Sequence, residues 1–443
     1  MNQKKEPPPH RVQNGNPKHF LFVSLDGLIS DIAWQVHREG HEVKYYIDSE
    51  KERVVGDGFV LKVEDWKKEV DWADVIIFDD VLGQGTIAKQ LRDEGRAVIG
   101  GTPYTDMLED DRQFGQEELK RHGVPILPSY NFTSFEEGIE FVKKNPNRYV
   151  IKPSGEAQNI KGLLFVGEED DGRDVVQVLS DYQKAWADRI PVFQLQKRVQ
   201  GVEIAVGAFF NGTDFVYPIN VNFEHKKLFP GNLGPSTGEM GTAMFWSGPN
   251  RIFKQTLFKL RSKLAEEGFI GYMDINCIVN GSGIYPLELT PRFGYPTISI
   301  MQEGIIKPIG EFLYELARGE LRQFKARSGF QIGVRIVVPP FPFKDPETFE
   351  VKSKDSVIFF KKGCEGVHIE DVQLVNGEWL VTGASGVILI VCGLGQTMKQ
   401  AQHQVYSRIK NIKIPHMYYR DDIGERWFEE SDHLHNWGYL REF

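Results

Sequence analysis

Two stretches of the chain concentrate residues able to bind anionic oxygen and metal. Residues 216–243 read VYPINVNFEHKKLFPGNLGPSTGEMGTA, and residues 269–297 read FIGYMDINCIVNGSGIYPLELTPRFGYPT. In the first, a charged turn of His225, Lys226 and Lys227 leads into a Gly-rich loop. Such a loop lets backbone N–H groups approach an anion closely. In the second, a hairpin around an Asn-Gly-Ser-Gly turn delivers Asp274, Asn276, Glu288 and Arg292 to one region. Asp274 and Asn276 are two apart, so they share one face of their strand. Carboxylates beside cations suit a polyphosphate held with a divalent cation. Lys152, at the end of the apolar strand RYVIKPS, can project a further positive charge over phosphates.

The surrounding pattern supplies elements to position these groups. From 18 to 104 apolar runs (HFLFVSL, HEVKYYID, DVIIFDD, AVIG) alternate with helical periods (ISDIAWQVHREG, TIAKQLRDEG). That alternation predicts right-handed crossovers and a parallel sheet, whose ligands bind at the carboxyl ends of the strands. Those ends read SLDGL, IFDDVLG and IGGTP. Residues 105–123 predict one amphipathic helix, and 124–192 a small α+β unit with a helix capped at Ser134. EIAVGAFFNGTDFVYPINVNFEH predicts a long hairpin, and PNRIFKQTLFKLRSKLAEEG an amphipathic helix. From about 323 the chain turns β-rich, then closes with the helix TMKQAQHQVYSRIKNI.

At 443 residues the chain is expected to form several lobes. No apolar run is long enough to span a bilayer. The polar, Pro-rich residues 1–17 predict a disordered leader rather than a signal peptide. Cys277, Cys364 and Cys392 lie far apart in apolar contexts, which predicts buried free thiols and a reducing, cytoplasmic setting. A formal net charge of −9 argues against broad adhesion to nucleic acid.

These motifs resemble those of the ATP-grasp ligases, and of the glycinamide ribonucleotide synthetases in particular. FEHKKLFPGNLGPSTGEMGT is similar to that family's Q-D-H-K-R … T-G-P-N-T-G-G-M-G, with His225, Lys226, Gly234, Pro235, Thr237, Gly238, Met240 and Gly241 in place. LELTPRFG resembles I-E-F-N-C-R-F-G, keeping Glu288 and Arg292, and YVIKPSG resembles V-I-K-A-D-G, keeping Lys152. QLQKRVQGVEIAV resembles the E-E-F-L-D-G-E-E hinge, with Gln196 and Lys197 at the acidic positions, Val199 at the adenine edge and Glu203 retained for a ribose hydroxyl. Arg112 takes the place of a phosphate-contacting lysine. GEWLVTGASGVILIVCGLGQTMKQAQHQVYSRIKNI and YYRDDIG resemble the family's final domain, so the likeness covers nearly the whole chain.

The resemblance implies an ATP-grasp architecture of mixed α/β and α+β class: an N-terminal parallel domain (18–104), an ATP-grasp domain (105–322) with its lid at about 124–192, and a β-rich C-terminal domain (323–443). It implies ATP and Mg²⁺, with Glu288 as metal ligand. Thr290 stands where the family has a second, amide ligand, so Asp274 or Asn276 is expected to compensate. It also implies a Gly-rich loop over the phosphates, of which only Lys161 and Gly162 remain in EAQNIKGLLFVG. The N-terminal part departs most. The family's G-N-G-G-R-E-H is SLDGLISD here, and its G-P-E is FDDVLG, which brings in Asp79 and Asp80. A phosphate site has become acidic.

The resulting expectation is a carboxylate–amine ligase working through an acyl phosphate. Lys152, Arg112, Lys197 and Arg292 would neutralise the transferring phosphoryl group, with His225 and Lys226 beside the reacting carboxylate. The carboxylate partner would be small, such as an amino acid, and the amine would differ from phosphoribosylamine. Three alternatives stay open: a true glycinamide ribonucleotide synthetase, a ligase acting on an amine of a larger molecule such as a modified base, and a nucleotide-binding protein without ligase activity.

Overall fold

The computed structural model describes residues 16–154 and 163–440. Most of the leader expected over 1–17 and the loop residue Lys161 lie outside them.

The N-terminal unit is a four-stranded parallel sheet ordered Glu42–Ile47, His19–Ser24, Val75–Phe78, Val98–Ile99. Its strand His19–Ser24 is apolar from Phe20 to Val23 because both faces are covered. Phe20 and Phe22 enter the main core, whereas Leu21 and Val23 enter a second cluster with Trp66, Ile76 and Leu91.

The expected lid is a separate four-stranded antiparallel sheet, ordered Ser129–Phe132, Phe193–Lys197, Tyr149–Pro153, Phe165–Val166. Helices Phe135–Lys144 and Arg173–Trp186 cover it, and its core of Phe135, Val142, Ile151, Leu179 and Phe193 is distinct from the rest.

An eight-stranded antiparallel sheet dominates the molecule: Gly283–Thr290, Ile270–Asn280, Val202–Asn211, Phe215–Glu224, Gly241–Ser247, Phe330–Val337, Val387–Gly395, Val367–Ile369. It runs unbroken across residue 323, because Phe330–Val337 pairs with Gly241–Ser247 on one side and Val387–Gly395 on the other. A further hairpin, Val372–Val375 with Glu378–Val381, docks on the N-terminal unit, where Trp379 meets Trp34 and Phe59.

Two helices read as continuous are interrupted. The 105–123 stretch forms Pro103–Asp110 and Arg112–Arg121. Asp111 is extended between them and accepts from Phe114 N, acting as an N-cap. The 249–268 stretch breaks at Thr256, whose hydroxyl donates to Ile252 O at 2.7 Å. Such back-bonding to the preceding turn competes with helix continuation. The three cysteines are free, with Cys277 and Cys392 buried and Cys364 half-buried. Among the described residues no helix is long and apolar enough to cross a membrane.

Candidate active site

Strand register brings the chemistry together. Asn276 lies opposite Glu288 on one side and Ala205 on the other, and Asp274 lies between Thr290 and Gly207. The small residues on the shared neighbour leave room on this face. At Gly207 a Cβ would fall 2.0 Å from Tyr272 Oη and 2.7 Å from Asp274 Cβ, so only glycine fits. One strand further, Glu224 follows the same face.

Three carboxylates converge on one lysine. Lys226 Nζ is 3.1 Å from Glu203, 3.3 Å from Glu224 and 3.1 Å from Glu288. Asn276 Nδ2 donates to Glu224 at 2.9 Å. The Gly-rich loop fixes the turn that carries Lys226: Thr237 donates to the Lys226 carbonyl from its N–H at 2.8 Å and its hydroxyl at 2.9 Å. Glu288 keeps more than half of its side chain exposed, and the Lys226 ammonium beside it holds that carboxyl down at about 2. Burial works against the charge on Lys226, but the three carboxylates overcome it and raise its pKa well above that of an ordinary lysine. Asp274 is raised well above its ordinary value, by burial first and then by Glu224, with Arg292 opposing.

Lys152 projects from the lid strand Tyr149–Pro153 toward the same cluster. Burial, Arg112 and Lys226 push it down to about 8, while Glu288 and Glu203 hold it up. Arg112 begins its helix and donates to Pro153 O at 3.3 Å, tying the body of the protein to the lid. A cleft of about 330 Å³ opens there, lined by Arg112, Gln113, Asn131, Ser154 and Gln194. Gln196 is buried and Lys197 half-buried at the end of the lid strand Phe193–Lys197. Val199 lies in the short link to Val202–Asn211, whose second residue is Glu203.

Arg292 bridges two units. It pairs with Glu109 at 2.8 Å and with Asp80 at 3.5 Å, so the carboxyl end of an N-terminal strand faces the ATP-grasp sheet. Neither Asp79 nor Asp80 caps the following helix, whose N-cap is Gly83. Asp80 accepts from Val81 N, while Asp79 accepts from the Ser24 hydroxyl and from Leu25 N at 3.4 Å. Tyr295 Oη donates to the Asp79 carbonyl at 3.2 Å. Burial, then Asp80, pushes Asp79 up to about 8.

Other expected residues sit apart from this centre. His225 is buried against the 420–426 segment, where its Nε2 accepts from Gly424 N at 3.4 Å. Burial, with Arg426 and Arg420, pushes it down to about 3. Gly234 and Pro235 lie on a two-stranded hairpin, Lys227–Phe229 with Leu233–Ser236, and Gly238 lies beyond it near Arg335 Nη1. Glu224 and Glu109 were not singled out from the sequence. Alternation from Asn220 through Asn222 places Glu224 on the site face, but nothing local marks Glu109.

The donor set fits Mg²⁺. Glu288 offers a carboxylate, and the Asn276 Oδ1 opposite it is buried without a hydrogen-bond partner. Among the described residues no three His, Cys, Asp or Glu side chains form a metal cage. Magnesium takes few protein ligands and completes its shell with phosphate oxygens.

Comparison with known proteins agrees with this geometry. Residues 110–297 match the family profile described as phosphoribosylglycinamide synthetase, ATP-grasp (A) domain, and residues 341–426 match its C domain. The phosphoribosylamine–glycine ligase of Listeria monocytogenes is 23% identical over 375 residues, covering 82% of this chain and 86% of that protein. The crystal structure of phosphoribosylamine–glycine ligase from Thermotoga maritima superposes with a TM-score of 0.68 at 21% identity, covering 91% of this chain and all of that one. A biotin carboxylase domain from Hydrogenobacter thermophilus, solved with MgADP, superposes with a TM-score of 0.62 at 14% identity over 95% of this chain and 97% of that one. With both domain profiles matched in order along one chain, the protein is an ATP-grasp, carbon–nitrogen bond-forming ligase that resembles phosphoribosylglycinamide synthetase.

Proposed function

We propose that this protein joins a small carboxylate, such as an amino acid, to an amine that carries no phosphate, using ATP with Mg²⁺. The carboxylate oxygen attacks the γ-phosphorus and ADP leaves; the amine nitrogen then attacks the acyl carbon, loses a proton, and phosphate leaves. Lys152 faces the phosphates from the lid side, and Arg112 and Arg292 from the body, so positive charge surrounds the transferring group. Val199 offers backbone groups to the adenine, and Glu203 accepts from the ribose once Lys226 shifts toward the reacting carboxylate. Glu288, with Asn276 or Asp274, would hold Mg²⁺, which supplies charge neutralisation at the β- and γ-oxygens.

The observation that carries the amine reading is the placement of Asp79 and Asp80 beside Arg292, with Asp80 at 3.5 Å from its guanidinium. A phosphorylated amine would bring its negative charge against the Asp80 carboxylate. The test is ADP release with Mg²⁺-ATP across panels of amino acids and amines, with glycine plus phosphoribosylamine as one arm. ADP release with an unphosphorylated amine, and no glycinamide ribonucleotide, is expected. Robust glycinamide ribonucleotide formation would instead establish the reaction named for the Listeria relative.

A further inference from the structure

The acidic character beside Arg292 extends well past Asp80. Asp26 follows the strand His19–Ser24 and Asp79 follows the adjacent parallel strand Val75–Phe78, so both stand at carboxyl ends. Glu52 comes from the segment after Glu42–Ile47. Asp371 arrives from the C-terminal part, next to the hairpin that Gly56 N and Leu374 N bond to the N-terminal unit at 3.0 and 2.8 Å. Asp79, Asp371 and Glu52 are only 1%, 4% and 8% exposed, while Asp26 opens to solvent at the rim.

None of these four carboxylates has a described Lys, Arg or His nitrogen within 4.0 Å. The donors they do have are neutral: Ser24 Oγ and Leu25 N on Asp79, Ala384 N on Glu52 at 3.1 Å, and Ser385 N and Oγ on Asp371 at 3.0 and 2.6 Å. Glu52 and Asp371 converge on Gly383, where a Cβ would lie 2.5 Å from Glu52 Oε2 and 2.7 Å from Asp371 Cγ. The Lys344 ammonium acts on Asp26 and Glu52 only at longer range. Buried carboxylates are ordinarily paired with a cation. A second, independent feature marks the same place. Tyr45 Oη is wholly buried, makes no hydrogen bond of normal geometry although the Ser24 and Ser30 hydroxyls stand close to it, and lies in the field of both Asp79 and Asp371. An orphan phenol among carboxylates short of counter-charge belongs to a site that another molecule completes.

Asp80 already pairs with Arg292, and a single ammonium beside Asp79 would leave Asp26, Glu52 and Asp371 unmatched. We propose that the amine substrate is a diamine or polyamine, with one amino group presented to the acyl carbon beside Arg292 and Asp80 and a remote ammonium held by Asp26, Glu52 and Asp371. The attacking nitrogen reacts in its uncharged form, forms the C–N bond as the acyl-phosphate C–O bond breaks, and gives up one proton; the remote ammonium is unchanged. This inference rests on the ligase reading but can fail separately from it.

The test is calorimetric titration of the full chain with putrescine, spermidine and butylamine, each with and without Mg²⁺ and a non-hydrolysable ATP analogue, together with Mg²⁺ alone. Putrescine and spermidine are expected to bind at least tenfold more tightly than butylamine. Glu52→Gln combined with Asp371→Asn is expected to erase that preference while leaving affinity for the nucleotide unchanged. If the double variant does not melt cooperatively, Glu52→Gln alone serves, with the preference expected to fall. Equal binding of butylamine and spermidine, a preference that survives the substitutions, or saturation of the wild-type site by Mg²⁺ alone would overturn the proposal. Loss of nucleotide binding in wild type would instead count against the ligase reading, because the nucleotide-free titrations still judge the diamine site.

Discussion

Lys152 shows how a group suited to a ligand is costly without it. Burial, and then Arg112 and Lys226 beside it, push the pKa of its ammonium from 10.5 down to about 8. The folded protein therefore binds fewer protons than the unfolded chain between pH 8 and 10.5, and this lysine's contribution to stability rises with pH through that window. Below pH 8 the full penalty is present. Lys152→Met is expected to raise the melting temperature of the free protein at pH 7 and to weaken Mg²⁺-ATP binding at least about tenfold, the scale of a lost charged hydrogen bond. Thermal melts and calorimetry read the two effects separately; lower stability together with unchanged affinity would place Lys152 outside the phosphate site. Nucleotide affinity in the wild type should fall as pH rises above 8. Glu288 has the same slope but a stabilising contribution: its pKa of about 2 means that its stabilising charge is present above about 4.5 and is lost only as pH falls toward 2. Glu288→Gln should leave the fold intact at pH 7 and lower ADP release about 100-fold or more. Turnover near wild type would show that the metal is held elsewhere.

At the scale of elements, the expected lid, residues 129–197, has a core of its own, so it is a unit that can unfold or shift separately from the main sheet. Phe193 centres that core, 1% exposed and stacked on Phe132 and Phe135 with centroids 5.6 and 5.0 Å away. Phe193→Ala should cost the lid about 3–5 kcal/mol by cavity formation. Hydrogen exchange should then quicken across 129–197 while the strands Val202–Asn211 and Ile270–Asn280 stay protected. Uniform loss of protection would mean that lid and body melt as one. Much at this scale was legible in the chain. The hairpin around Gly212 follows from alternation flanking a turn, and the strand carrying Glu288 follows from the Asn-Gly-Ser-Gly signal. The interruptions at Asp111 and Thr256 were hidden, because a capping or back-bonding side chain overrides apolar periodicity. Lys226, Glu288 and Arg292 were legible as a cluster from residue type and spacing. That Glu224 joins them depends on Asn276, 52 residues on, and that His225 turns to the 420–426 segment depends on Gly424, 199 residues on, and local pattern encodes neither.

At the scale of the whole molecule, the three parts are pinned at one buried histidine. His368, on the C-terminal strand Val367–Ile369, lies 2.7 Å from Asp31 of the first N-terminal helix and 3.1 Å from Glu303 of the helix Thr297–Gly304. Asp31 raises it well above the ordinary 6.5, against the effect of burial. The stabilisation is therefore fully present below pH 6.5 and is lost as pH rises through the higher folded value. His368→Gln should destabilise the protein by about 3–5 kcal/mol, the cost of breaking a buried charge pair. The gap in melting temperature from wild type should narrow in alkaline buffer; a gap independent of pH would assign His368 a packing role only. The sheet that crosses residue 323 carries a practical consequence for dissecting the molecule. A fragment ending at 322 would bare the seven-residue strand Gly241–Ser247, with its row of unpaired N–H and C=O groups beside Ala243, Met244 and Phe245. Such an edge recruits other copies of itself. The ATP-grasp portion expressed alone is thus expected to come out of the cell as aggregate, and to become tractable only when the segment reaching Gly395 is supplied in the same chain or as a co-expressed complement.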